Sequence, residues 1–413
     1  MDRREFLVGA GLGAVATALS PQETKAAPAI GRNLPDVTVV GAGAFGAWTA
    51  LCLVERGAKV TLLDSYGAGN ARQASGDETR QIRAAYGDRE IYSRWATRAF
   101  ALWHQRQEEF KRRLIFVNGV LSPNPPKDQF EAEQRIFTKL KIPYETLTPE
   151  ECKKRWPQGG FEGDQYARFE PQAGTVKARE SLIAATETFT RKGGIYRIGM
   201  AVPGESKGGK LTSLKLNDGT SLSCGTAIFA CGPWLPTVLP GVMKGFVRPT
   251  RAEVFYIGSP PGDLSYHWER FPNIYSSGIG YSLSDVDYGY KVAPRWPRNL
   301  NMEMDPDNDE RIVSPLLREI AYRFVAQHTP GLLNQPIVAS RVCNLEDSDN
   351  EHFIIDTHPE LSNLWIAGGG SGHAFKMGPA TGEYIADRVI GAADPAEEKA
   401  LFSLASHKAF DLL

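Results

Sequence analysis

The run Gly41-Ala42-Gly43-Ala44-Phe45-Gly46 has the G-x-G-x-x-G spacing with which a strand-to-helix turn can receive a pyrophosphate. Gly41 permits the tight turn, Gly43 lets the backbone approach the phosphates, and Gly46 allows helix and strand to pack closely. The first N–H groups of the helix, at Ala44 and Phe45, then face the phosphate charge. Asp64 stands 23 residues beyond Gly41, placed to accept hydrogen bonds from adenosine ribose hydroxyls, and its charge disfavours the 2′-phosphate of NADP. A bare glycine motif would also fit a purely structural turn. The strand before it, the helix after it and the acid beyond separate the two.

A second such stretch lies near the end of the chain. Leu364-Trp365-Ile366-Ala367 reads as a strand, Gly368 to Gly372 as a glycine-rich loop, and Pro379 as the first turn of a helix. That arrangement would aim a helix N-terminus at an isoalloxazine ring, where negative charge develops on reduction. An NAD enzyme has no need of this second site, so FAD is the expected cofactor. Between the two, Ala227-Ile228-Phe229-Ala230-Cys231-Gly232-Pro233-Trp234 is an apolar strand running into a Gly-Pro turn.

Such residues need a parallel-sheet scaffold to position them. Val37–Val40 and Lys59–Leu63 read as strands flanking a helix that runs to about Arg56. Further helices are expected over Arg89–Phe110, Asp128–Leu140, Lys177–Arg191, Asp309–Gln327 and Pro379–Ile390, with strands at Leu211–Leu216, Val247–Ile257 and Phe353–Ile355. The expected class is α/β in two domains. A Rossmann-type FAD-binding domain would be assembled from 36–87, 165–245 and 340–392. A substrate domain on a large mixed sheet would take 88–164 and 246–339, leaving 393–413 as a tail.

Charge and cysteine content remove several alternatives. With 47 Lys and Arg against 48 Asp and Glu, and with the clusters Lys111-Arg112-Arg113 and Lys153-Lys154-Arg155 beside acidic residues, no nucleic-acid partner is expected. The cysteines at 52, 152, 224, 231 and 343 include no CxxC pair, and His352 and His358 lack ligand spacing, so neither a disulfide framework nor a metal is expected. Arg3-Arg4, the uncharged run Leu7–Leu19 and Ala27-Pro28-Ala29 resemble a twin-arginine signal peptide over 1–29. The run is short of the ~20 residues that span a bilayer. The expected location is therefore the periplasm, with no membrane span once the leader is removed.

From Val37 to about Val389 the sequence resembles the D-amino acid oxidase-like flavoproteins, in particular the monomeric sarcosine oxidase branch that includes N-methyl amino acid oxidases. The motifs that carry this are GAGAFG with Asp64, GDETRQIR at Gly76–Arg83, RFEPQAG at Arg168–Gly174, ACGPW at Ala230–Trp234, CNLEDSDNEHFIID at Cys343–Asp356 and SGHAFKMGP at Ser371–Pro379. The resemblance implies that Ser65, Thr79, Arg80, Val176, Cys231, Gly232, Trp234, Gly369, Gly370, Gly372, His373 and Lys376 join the glycine turn around FAD. Cys343 lies 33 residues before Lys376, the branch's spacing for a cysteine bonded to the flavin 8α carbon.

The resemblance also implies that Arg83 and Lys376 grip a substrate carboxylate, that Arg80 lies against the flavin, and that Lys291 activates dioxygen. The reaction implied is transfer of hydride or its equivalent from the carbon beside a neutral secondary amine to flavin N5, followed by imine hydrolysis and release of hydrogen peroxide. Partners would be a small amine or amino acid and dioxygen. Three departures stand out: Arg295 where sarcosine-oxidising members carry histidine, Ala374 in place of glycine, and either Tyr275 or Tyr281 as the pocket tyrosine. Arg295 would lower the pKa of a bound amine and suits a second acidic group. A dehydrogenase passing electrons to a quinone or carrier, or a non-catalytic flavin-binding protein, are the alternatives; the cations at 83, 291 and 376 weigh against the latter.

Overall fold

Parallel β-structure at the front of the chain follows from the apolar run Val37–Val40, buried along its whole length. It is the fourth strand of a six-stranded sheet in the order Ile354–Thr357, Leu364–Gly368, Thr226–Phe229, Val37–Val40, Val60–Asp64, Ile195–Ile198. All neighbours are parallel except Ile354–Thr357, which pairs antiparallel with Leu364–Gly368. The computed structural model describes residues 34, 36–297 and 302–410; the leader-like segment 1–29 lies outside them. Among the described residues no helix is long and apolar enough to cross a membrane.

Helix Ala44–Glu55 is apolar nearly all round, because it is covered on one side by its own sheet and on another by helix Gly378–Val389. The two helices approach so closely that a Cβ at Gly378 or Gly382 would stand 2.6 Å from Trp48, which is fully buried. The front and rear glycine segments, more than 300 residues apart in sequence, are thus locked together by one tryptophan.

An eight-stranded mixed sheet forms the other half, in the order Ile337–Asp347, Arg248–Ile257, Tyr290–Pro294, Gly280–Leu283, Asn273–Ser276, Val120–Pro123, Ala167–Glu170, Glu145–Leu147. Ala167–Glu170 and Ile337–Asp347 belong to this sheet by hydrogen bonding, although the sequence division places 165–245 and all of 340–347 with the cofactor segments. A short sheet of Thr79–Ile82, Gly174–Lys177 and Ile115–Val117 completes the frame. The helix expected over 309–327 begins later, at Pro315. Proline disfavours helical backbone in the residue before it, and Arg311 has a φ of 55°, so residues 309–314 stay outside the helix and the Asp309 carboxylate accepts the Arg311 amide.

Candidate active site

The three motif glycines serve different ends. Gly41 has a φ of 105°, and a Cβ there would fall 2.3 Å from the Ala230 carbonyl oxygen. Gly46 lets the helix close onto the turn, since a Cβ would stand 1.8 Å from the Gly41 oxygen. At Gly43 a Cβ would meet nothing nearer than the Gln73 side chain at 3.4 Å, and this residue lines a cavity of about 330 Å3.

That cavity lies at the carboxyl ends of three parallel strands, marked by Val40, Asp64 and Ala230, and reaches the rear loop. Of the residues expected around a cofactor, Gly41, Gly43, Ala44, Phe45, Asp64, Ser65, Arg80, Cys231, Gly232, Trp234, Gly370, Gly372 and His373 line it. Asp64 accepts the Ala42 amide at 2.8 Å on one oxygen and the Tyr66 and Gly67 amides on the other, fixing the turn. His373 packs among Tyr86, Tyr92 and Phe353, and burial, with Lys376 nearby, depresses its pKa to about 3. It is a neutral ring whose Nε2–H donates to the Glu351 carbonyl.

The other expected residues sit behind the wall of this cavity. Gly46 packs inside the turn, Val176 pairs with Arg80 in the short sheet, and the Gly369 amide donates to Glu346. Thr79 contributes its carbonyl oxygen, which accepts from Arg80 and from Lys291. Cys343 is buried in the eight-stranded sheet opposite Ala252, clustered with Val254, Tyr256 and Ala293. Burial and Asp77 push its thiol up, while Arg80, Lys291 and Arg341 pull it down.

Lys291 is 1% exposed and donates to Asp77 at 2.5 Å. Asp77 also accepts from Arg80 and from the Tyr256 hydroxyl, both at 2.7 Å. Burial alone would raise the Asp77 carboxyl; Lys291 and Arg80 outweigh it and hold the group well below the usual carboxylate range. Two cations against one anion leave this cluster with a net charge of +1 beside Cys343.

A second cationic group lies on the same side. Lys376 donates to the Tyr86 hydroxyl and to the His373 carbonyl, each at 2.8 Å. The Arg83 guanidinium lies 5.2 Å from the Tyr86 ring and 4.4 Å from the Tyr275 ring, and Arg295 reaches the Tyr275 hydroxyl at 3.4 Å. Burial, Arg83 and Arg80 hold the Lys376 ammonium well below its ordinary pKa. Of the two candidate tyrosines, Tyr275 joins this group, whereas Tyr281 packs in the Cys343 cluster about 6 Å from the Lys291 amine.

A family model for FAD dependent oxidoreductases (DAO) matches residues 36–388. The chain belongs to this family. It is 27% identical over 359 residues to monomeric sarcosine oxidase of Bacillus sp. (strain NS-129), covering 85% of this chain and 92% of that one. It is also similar to N-methyl-L-tryptophan oxidase of Yersinia pestis (strain Pestoides F), 25% identical over 365 residues, covering 85% and 94%. Among solved structures, L-proline dehydrogenase from P. horikoshii superposes with a TM-score of 0.77 at 21% identity, covering 89% of this chain and 96% of that one, a likeness of fold.

The donor set fits the cofactor of this FAD dependent oxidoreductase. The first-turn amides of Ala44–Glu55 have no intrahelical acceptor and open the helix beside Gly43, suited to a pyrophosphate. Glu346, inside the Cys343–Asp356 motif but not among the expected site residues, also lines the cavity, 5% exposed, with the Gly369 amide at 3.3 Å. Burial raises its pKa to about 8, so near neutral pH the carboxyl holds its proton.

Stability should follow that proton. Between the carboxyl's ordinary value of 4.5 and about 8, the folded chain holds a proton that the unfolded chain has lost, so stability falls as pH rises through this window. In cofactor-free protein, Glu346→Gln should match the parent near the lower value and exceed it by ~2–4 kcal/mol above the upper one. Denaturant unfolding across pH checks this; parallel curves for the two proteins would refute the assignment.

Proposed function

We propose that this flavoenzyme oxidises the C–N bond of a small secondary amine, or of an N-substituted or cyclic amino acid, as an oxidase releasing hydrogen peroxide. The observation that carries the reading is the pairing of Arg83 and Lys376, which have no carboxylate within ion-pair distance among the described residues, with the Arg80–Asp77–Lys291 cluster nearby. FAD, when bound, accepts a hydride equivalent from the carbon beside the amine nitrogen and passes both electrons on. In the balance the amine loses two electrons and two protons to become an imine, water hydrolyses the imine, and dioxygen becomes hydrogen peroxide.

The chain's own residues orient and polarise. Arg83 offers a planar fork to a substrate carboxylate and Lys376 a point charge beside it. Surrounding cations at 83, 295 and 376 disfavour an ammonium ion, so the amine binds unprotonated and no side chain need act as base. Lys291 holds fixed positive charge for dioxygen reduction. Cys343 would tie the cofactor through a thioether to its 8α carbon; one proton leaves the thiol, one hydrogen leaves that carbon, and dioxygen takes up the two electrons released. The leader-like segment 1–29 makes this an exported enzyme in the same reading.

The relatives named sarcosine oxidase and N-methyl-L-tryptophan oxidase support the amine reading and the use of dioxygen. The test is anaerobic bleaching of the yellow protein by a panel of N-methyl, cyclic and glycated amino acids, then admission of air. Bleaching by a subset and recovery of colour with peroxide is expected; a flavin that no amine reduces would end the proposal. Acid precipitation should leave the colour with the protein, and Cys343→Ala should release it to the supernatant.

A further inference from the structure

We propose that the pocket selects amino acids bearing a second carboxylate, and that Arg295 is the residue that reads it. The inference rests on the amine-oxidation reading above and adds the substrate class to it.

The geometry is a line of cations strung through two phenols. Lys376 holds the Tyr86 hydroxyl, Arg83 lies against the rings of both Tyr86 and Tyr275, and Arg295 reaches the Tyr275 hydroxyl from beyond. Several other buried and half-buried arginines of this chain are paired with carboxylates: Arg80 with Asp77, Arg106 with Glu55 and Arg251 with Glu253. Along the line from Lys376 to Arg295 no carboxylate comes within ion-pair distance among the described residues.

One α-carboxylate answers only part of it. Arg83 and Lys376 suffice for that group, as a fork and a point charge. Arg295 is exposed and meets the Tyr275 hydroxyl, while Arg83 lies against the ring of the same tyrosine. Its position follows from the sheet: it ends the strand Tyr290–Pro294, and its backbone amide is fixed by the Ile279 carbonyl at 2.9 Å. Tyr275 itself reports the field, since Arg83, against the opposing effect of burial, and then Arg295 and Arg168 lower its hydroxyl pKa. A substrate that spans the ring with a carboxylate at each end completes the charge balance.

The discriminating measurement compares paired substrates in the cofactor-loaded enzyme: N-methyl-L-glutamate with N-methyl-L-norvaline, and iminodiacetate with sarcosine. The first pair carries the second acid on the side chain and the second pair carries it on the nitrogen. Parent enzyme should favour the diacid of at least one pair in kcat/KM by roughly 10- to 100-fold, the weight of one charge-assisted contact. In Arg295→Gln that ratio should collapse towards unity, and Arg295→Lys should retain most of it. Thiodiacetate, which has no amine to oxidise, should bind the parent more tightly than methylthioacetate by calorimetry and lose this advantage in Arg295→Gln. A parent without diacid preference, or a preference that survives Arg295→Gln, overturns the proposal. Should no amine reduce the flavin, the oxidation reading fails and the thiodiacetate comparison alone decides the role of Arg295.

Discussion

Lys291→Met is expected to slow dioxygen consumption by the reduced, cofactor-loaded protein about 100- to 1,000-fold, the usual cost of deleting one preorganised charge from a water-excluded site. The half-reaction with substrate, measured without oxygen, should change far less. Lys291 is the more deeply buried of the two cations on Asp77, its side chain 1% exposed against 15% for Arg80. Removing it takes the buried cluster from a net +1 to zero, with Asp77 left to Arg80 and Tyr256. A second variant separates charge from collapse: Lys291→Met with Asp77→Asn restores a net +1 on Arg80 alone. That double variant should recover stability more fully than oxygen reactivity, since the Arg80 guanidinium stays fixed on the Thr79 and Ala74 carbonyls and does not take the Lys291 position. Stopped-flow mixing of the reduced protein with oxygenated buffer reads the effect. A single variant within threefold of the parent would remove Lys291 from the oxygen step, and a parent inert to oxygen would make the protein a dehydrogenase.

The cofactor turns are legible in the sequence because their physics admits few residue types. Only glycine tolerates the φ at position 41 and the contact at position 46, and Asp64 follows a strand whose end is fixed by that turn. The partners of Lys291 are not legible. Asp77 stands inside the recognisable stretch Gly76–Arg83, yet its role depends on Tyr256 and Lys291, more than 170 residues away and brought together only by adjacent strands. Glu346 illustrates the same limit: it sits in an acidic run, Glu346-Asp347-Ser348-Asp349, where composition suggests a solvated loop, and only the sheet register turns it towards the cavity. Tyr275 and Tyr281 cannot be told apart in the sequence for a geometric reason. They face each other directly across one hairpin, on the same side, and the difference is which neighbour each meets. Tyr86 gives no signal at all, being an ordinary aromatic until Lys376 is seen to bond it.

Arg168→Met is expected to cost about 3–5 kcal/mol of folding stability, the loss that follows when one member of a buried ionic cluster is removed and the others remain. Arg168 is 1% exposed and bridges Glu133, Glu170 and the Ser122 hydroxyl. The two carboxylates also brace the backbone, for Glu170 accepts the Ala84 amide at 2.8 Å and Glu133 the Gly87 amide at 3.0 Å. They therefore hold both ends of the turn that carries Tyr86, immediately after Arg83. Arg168 is in this sense a positioning residue for the carboxylate grip, acting through two acids and two backbone amides. If that is its role, Arg168→Met should raise KM for carboxylate substrates more than it lowers kcat, because the turn loosens while the Lys291 cluster is untouched. Arg168→Lys should rescue little, since a single ammonium cannot serve both acids with the geometry of a guanidinium fork. Adding Glu133→Gln and Glu170→Gln to Arg168→Met should return part of the stability, as neutral amides need no counter-charge, but not the KM, because an amide offers the Ala84 and Gly87 amides a weaker acceptor. Equal loss in KM and kcat across the series would mean that the cluster supports only the fold; a split confined to KM ties this buried cluster to the grip on substrate.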